Sequence, residues 1–254
     1  MHTIQEVLIR MDQIVEECKS RQSRIGYFAI LYRQVTRRVR DGIIAGEFED
    51  NPRMEKLDVL FAKRFIDAYE LWTKGSKPTE SWRLAFEANK NPKHLVLQHL
   101  FLGINAHINL DLGIAASESM EGKNLVGIQN DFNKINAVLA ELVDGVKANI
   151  SKVSPIFGWL IPLAKGRDEM LLNFSIQIAR DGAWKFAGEY HSDPNKDFQI
   201  KDRDKNIAAL AQKLINPGKV LAFIIKAIGL AEWKSISRIM EQLDLVTTRT
   251  LQRF

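Results

Sequence analysis

The sequence predicts an all-α protein, a single-domain, multi-helix bundle (1–254) around a buried central helix at about residues 92–116. Three observations carry that expectation. Apolar residues recur at helical spacing along most of the chain, and period-two alternation is nearly absent. The helix-start pair Asn-Pro recurs at Asn51-Pro52, Asn91-Pro92 and Asn216-Pro217. The stretch 92–116, PKHLVLQHLFLGINAHINLDLGIAA, is apolar in nearly every direction around its axis, as a helix buried on all sides must be. Polar residues interrupt it too often for a membrane span.

In chain order, the spacing predicts helices near 3–20, 23–45, 53–73, 79–89, 92–116, 123–149, 167–190, 203–215, 218–230 and 232–252. The segments 150–166 and 191–202, which hold Pro155, Pro162 and Pro194, read as irregular. The helix at 23–45 carries Phe28, Leu31, Tyr32, Val35 and Val39 on one face. Arg33, Arg37 and Arg40 stand opposite, where they read as a solvated face. Acids intersperse with these arginines and no aromatic stacking partners accompany them, so no nucleic-acid partner is expected. The segment 218–230, GKVLAFIIKAIGL, is the most apolar outside the centre and too short to span a bilayer. With only Lys219 and Lys226 as charges, it reads as a core helix.

Composition is that of an ordinary globular protein, 46% hydrophobic and 26% charged, with a net charge of +5. A single cysteine, Cys18, excludes an internal disulfide and any multi-cysteine metal site. The first twenty residues mix acids and bases in an amphipathic pattern unlike a signal peptide, so a cytoplasmic location is expected. There is no H-E-x-x-H, Glu-x-x-His, P-loop, G-x-G-x-x-G or G-x-S-x-G.

On the central helix the polar residues fall into two seams. His107 and Asp111 are four apart and share an edge, with His99 about 80° round from His107. Gln98, Asn105 and Asn109 line almost the opposite edge. Buried amides suit fixed helix-to-helix hydrogen bonds, whereas an imidazole one turn from a carboxylate suits metal ligation, proton transfer or a structural pair. Three further aspartates sit on apolar stripes: Asp58 with Met54, Phe61 and Phe65; Asp131 with Ile128, Ile135, Val138 and Leu142; Asp181 with Phe174, Ile178 and Trp184. Aspartate is seldom buried unless paired, so these could converge on His107 and Asp111, or each could sit at a stripe's edge beside an arginine such as Arg64 or Arg180.

The segment Gly103-Ile104-Asn105-Ala106-His107-Ile108-Asn109-Leu110-Asp111-Leu112 resembles the signature of an uncharacterised, mainly bacterial all-α family, a domain of unknown function. Leu31-Tyr32-Arg33, Phe61-Ala62 with Arg64-Phe65, Asn130-Asp131-Phe132 and Ala179-Arg180-Asp181 are similar to other pieces of it. The resemblance extends to about residue 215 and implies a helical fold, with no activity attached.

Two functions from different classes are compatible with these residues. One is an enzyme or small-molecule-binding protein with an interior site, hydrolase-like if metal-dependent. There His107 is a metal ligand or general base, and Asp111 and Asp131 are ligands or orienting carboxylates. Asp58 or Asp181 would be a fourth member, around a divalent Zn, Mn or Fe ion if metal is used. The other is a non-catalytic structural or interaction protein whose polar seams only fix helix register.

Overall fold

A computed structural model describes residues 1–156 and 176–245, the side chains of 136–147, 176 and 177 excepted. The described chain is helical, with no strand among the described residues. Helices α1 (Ile4–Ser20), α2 (Ile25–Ile44), α3 (Asn51–Thr73) and α4 (Glu80–Glu87) precede the central rod, α5 (Val96–Ala106), a π turn (His107–Asp111) and α6 (Leu112–Ser119). After it come α7 (Gln129–Val153), α8 (Ile176–Ser192), α9 (Lys196–Ile215), α10 (Lys219–Ala231) and α11 (Ile236–Asp244). The expected 157–166 loop, the 167–175 start of a helix and the 246–252 end of the last helix lie outside the described residues.

The central rod is surrounded as its composition requires. Helices α2, α3, α4, α8 and α9 pack against it. Val96–Ser119 is long and apolar enough to pass for a membrane span by length and composition alone, yet 83% of its apolar stretch is buried inside the protein. Two glycines set the close approaches. A Cβ on Gly103 would lie 2.4 Å from the Phe28 ring of α2, and one on Gly113 would lie 2.8 Å from the Ala183 carbonyl of α8. Those contacts admit only hydrogen, so α2 and α8 clamp the rod on either side of its π turn.

Several local expectations need correction. Asn91-Pro92 does not start the central helix. Asn91 Oδ1 accepts the Lys93 amide at 3.0 Å in a turn, and the helix begins at Val96, where Gln98 Oε1 accepts the Leu95 amide. The side chain thus closes its own turn rather than a helix N-terminus. Asp50, not Asn51, caps α3 by accepting from the Arg53 amide. The polar stretch 191–202 is not irregular. Asn195 caps α9 through the Phe198 amide, and helix runs from Lys196.

Charge placement also departs from the pattern. The arginine face of α2 is not simply solvated: Arg33 is buried and bridges Asp12 and Asp244, and Arg37 joins it on Asp12. The most apolar segment, now α10, is not a core helix. It buries Leu221 and Ile228 and leaves Val220, Phe223 and Leu230 54%, 74% and 80% exposed.

Candidate functional site

The π turn brings His107 and Asp111 together. Leu112 N–H reaches back five residues to the His107 carbonyl, which widens one turn of the rod. His107 Nδ1 lies 3.1 Å from Asp111 Oδ2, and both side chains are buried, 2% and 1% exposed. Asp111 also accepts Trp82 Nε1–H at 2.8 Å on Oδ2 and Arg64 Nε–H at 3.2 Å on Oδ1. A carboxylate taking two obligate donors can only accept from the imidazole as well, so Nδ1 carries the His107 proton. Its Nε2 is then left with a lone pair.

Among the described residues, that lone pair has no hydrogen-bond partner. The ring is held edge and face by aromatics: Phe61 of α3 stacks on it with centroids 3.7 Å apart and 6° from parallel, and Tyr32 of α2 stands edge-on at 4.2 Å. Phe28, Phe65 and Trp82 complete the cage. Burial holds the His107 pKa below the usual histidine value, against the opposing pull of Asp111, so the ring stays neutral and basic at Nε2.

Two more buried polar atoms, on α2 and α3, have no hydrogen-bond partner among the described residues. The Tyr32 hydroxyl makes no hydrogen bond within 3.5 Å, with the Thr36 hydroxyl one turn on in looser reach. Burial keeps it a neutral phenol, an effect reinforced by the charge of Asp111. Asp58, one turn before Phe61 on α3, is 3% exposed and its Oδ2 has no partner. Burial, helped by Glu55, raises its pKa to about 8, so at neutral pH it is largely a protonated acid. Imidazole, phenol and carboxyl, carried by the rod, α2 and α3, each keep unused hydrogen-bonding capacity. Native interiors rarely leave such atoms unpaired without a reason.

The other sequence candidates go elsewhere. Asp131 is fully buried but spends both oxygens at the start of α3. It accepts the Glu49 and Asp50 amides at 2.7 and 3.2 Å and Arg53 Nη2 at 2.8 Å. Its apolar stripe faces a helix N-terminus, where backbone amides and the dipole favour an anion. It does not face His107 as a ligand, and its partners Val138 and Leu142 lie outside the described side chains. Asp181 is exposed on α8, while its stripe-mate Phe174 lies outside the described residues. His99 packs edge-on against Tyr27 at 5.8 Å, on the α2 side, with its Nε2 unpartnered and its pKa lowered by burial to about 3. Among the described residues, no three or more His, Cys, Asp or Glu side chains are placed to hold a metal ion. Of the expected ligand set His107, Asp111, Asp131 and Asp58 for Zn, Mn or Fe, the first two meet, Asp131 is engaged with the start of α3, and burial raises the Asp58 pKa.

Sequence reasoning missed Trp82 and Tyr32. The Trp82 indole N–H fixes Asp111 from α4, a partner no spacing rule could name. Tyr32 was visible only as one more member of an apolar face.

The fold and these side chains define an all-α bundle with an uncommitted polar nest on its central helix. The chain belongs to DUF5995, a family of unknown function, which matches residues 4–217. No curated protein and no solved structure matches the chain. The match covers the whole nest and stops just short of α10.

Proposed function

We propose that this protein binds a small polar molecule in its interior and moves a proton on it, with His107 as the base. The observation that carries this reading is the free lone pair on His107 Nε2. A neutral imidazole, oriented through Nδ1 by a carboxylate that is itself pinned by Trp82 and Arg64, has the parts of a general base. The Tyr32 hydroxyl and the protonated Asp58 supply donors to a bound oxygen or nitrogen, and the aromatic cage keeps water away from the exchange. Arg64, partly exposed while Asp111 is not, links the nest to the surface and suits an anionic or polarised ligand.

A second reading is favoured by one observation: three donors from three elements already converge on Asp111. On that view the nest fixes how α3, α4 and the central rod sit together. The test is native mass spectrometry of gently purified protein beside a thermal-shift screen of small polar compounds. The proton-transfer reading expects a bound or stabilising compound whose effect disappears in His107→Leu while that variant keeps the wild-type circular dichroism. No stabilising compound, combined with a His107→Leu variant that melts many degrees lower, would overturn it in favour of the packing role.

A further inference from the structure

The strongest unexplained surface is α10. Val220, Phe223 and Leu230 all stand exposed on a helix of thirteen residues, a concentration soluble surfaces rarely carry. At 100° per residue, Lys219 and Lys226 fall within about 60° of Phe223 and Leu230, on the same outward strip. Along the stretch that holds this helix, the charge is one-sided. From residue 205 to 240 the cations are Lys205, Lys213, Lys219, Lys226, Lys234 and Arg238, every one exposed. The only acid in that stretch is Glu232, which is buried and turned inward to accept the Val96 amide at the start of α5. Half-buried Trp233 sits at the end of the helix, with Arg238 over its ring at 5.1 Å.

We infer that α10 is a docking face for an anionic lipid surface, lying in the plane of the headgroups with Phe223 and Leu230 inserted. The charge pattern chooses this occupant. A second copy of the chain would bring the same uncompensated cations against themselves. An anionic bilayer offers apolar depth for the side chains and negative charge for the lysines, whose stems lie along the apolar strip while their ammonium groups reach the phosphates. Glu232 joins this face to the rod: one carboxylate ends α10 and holds the first amide of the helix that carries His107.

Sedimentation of the full chain with vesicles tests the inference. Phosphatidylcholine vesicles should leave the protein in solution, and vesicles containing phosphatidylglycerol should pellet it, less so as salt rises. Phe223→Ser with Leu230→Ser, and separately Lys219→Glu with Lys226→Glu, should each weaken pelleting roughly tenfold or more. These positions are exposed, so the melting temperature should hold and report that the fold is intact. Absence of pelleting, equal pelleting on both vesicles, or pelleting untouched by the variants would overturn it. So would a concentration-dependent dimer in light scattering that Phe223→Ser with Leu230→Ser dissolves, which would give the face to a second copy.

Discussion

The two edges of the central helix carry similar numbers of polar groups and treat them in opposite ways. On the amide edge, Gln98 Nε2 donates to the Leu214 carbonyl and Asn105 Nδ2 to the Ile207 carbonyl, both on α9, while Asn109 Nδ2 donates to Asn105 Oδ1. Arg203 of α9 returns a bond to the Asn109 carbonyl. The amide edge is thus tied to the backbone of one neighbour. On the imidazole edge, His99 Nε2 and His107 Nε2 have no partner among the described residues, and neither do the Tyr32 hydroxyl of α2 and Asp58 Oδ2 of α3. Both edges are buried, so burial alone does not separate a packing device from a site. What separates them is whether the hydrogen bonds are used up.

The sharpest way to break the contrast is at Asp111, the one fully engaged member of the open edge. Asp111→Ala strands the Arg64 guanidinium, the Trp82 N–H and His107 Nδ1 at once. Removing one partner of a buried charge pair costs about 3–5 kcal/mol, and urea unfolding should find a loss of that size. A loss below 1 kcal/mol would mean that the three donors find water, and the nest would then be more open than its burial indicates.

Asp58 gives the next largest effect, and it is read through pH. Its folded pKa of about 8 lies above the ordinary carboxyl value of 3.8, so between those limits the folded state holds a proton the unfolded state has released. Stability from this group is full below about pH 4 and is lost as pH rises towards 8. Asp58→Asn keeps a neutral side chain of the same shape and should remove that decline. Thermal melts across this range should converge at the acid end and diverge above neutrality, with the variant the more stable by up to a few kcal/mol. Parallel curves would show that Asp58 is ionised in the fold.

Asn105→Leu should cost less, about 1–3 kcal/mol, because it leaves one carbonyl and the Asn109 amide without partners. Any interior ligand should still bind. If this variant lost binding and kept its stability, the roles of the two edges would be reversed.

Much of this contrast was legible in the sequence, because period and burial are local properties. The all-round apolar run identified the rod, and its angular spacing separated amides from imidazoles. What was not legible depends on partners distant in the chain. Asp131 stood out only as an aspartate on an apolar stripe, and Asp204 looked like any aspartate on a helix. Yet Asp131 caps the start of α3, and Asp204 accepts the Glu80 and Ser81 amides at the start of α4. Glu232 does the same for α5. A helix N-terminus attracts an anion wherever the fold brings one, and spacing within the anion's own helix carries no trace of it. The π turn between Gly103 and Gly113 is equally hidden. The exposure of α10 is hidden as well, because an apolar helix with few charges has the same composition whether a neighbour covers it or not.

The smallest effect is expected at His107 itself, and it decides most about the open edge. His107→Leu removes one of three donors from Asp111 but leaves Trp82 and Arg64 in place, and it removes the orphaned Nε2. These changes oppose each other, so stability at neutral pH should move by about 1 kcal/mol or less. Burial holds the His107 pKa below its unfolded value, so the wild type loses stability as pH falls through the histidine range and the leucine variant is spared that part of the loss. The difference between the two proteins should therefore shift in favour of the variant on acidification. A variant that is instead more than 3 kcal/mol less stable at every pH would place His107 with Asn105, as a residue whose hydrogen bonds serve the fold. A near-neutral variant with an acid-side gain fits a residue that folding tolerates rather than requires, which is where a site is expected.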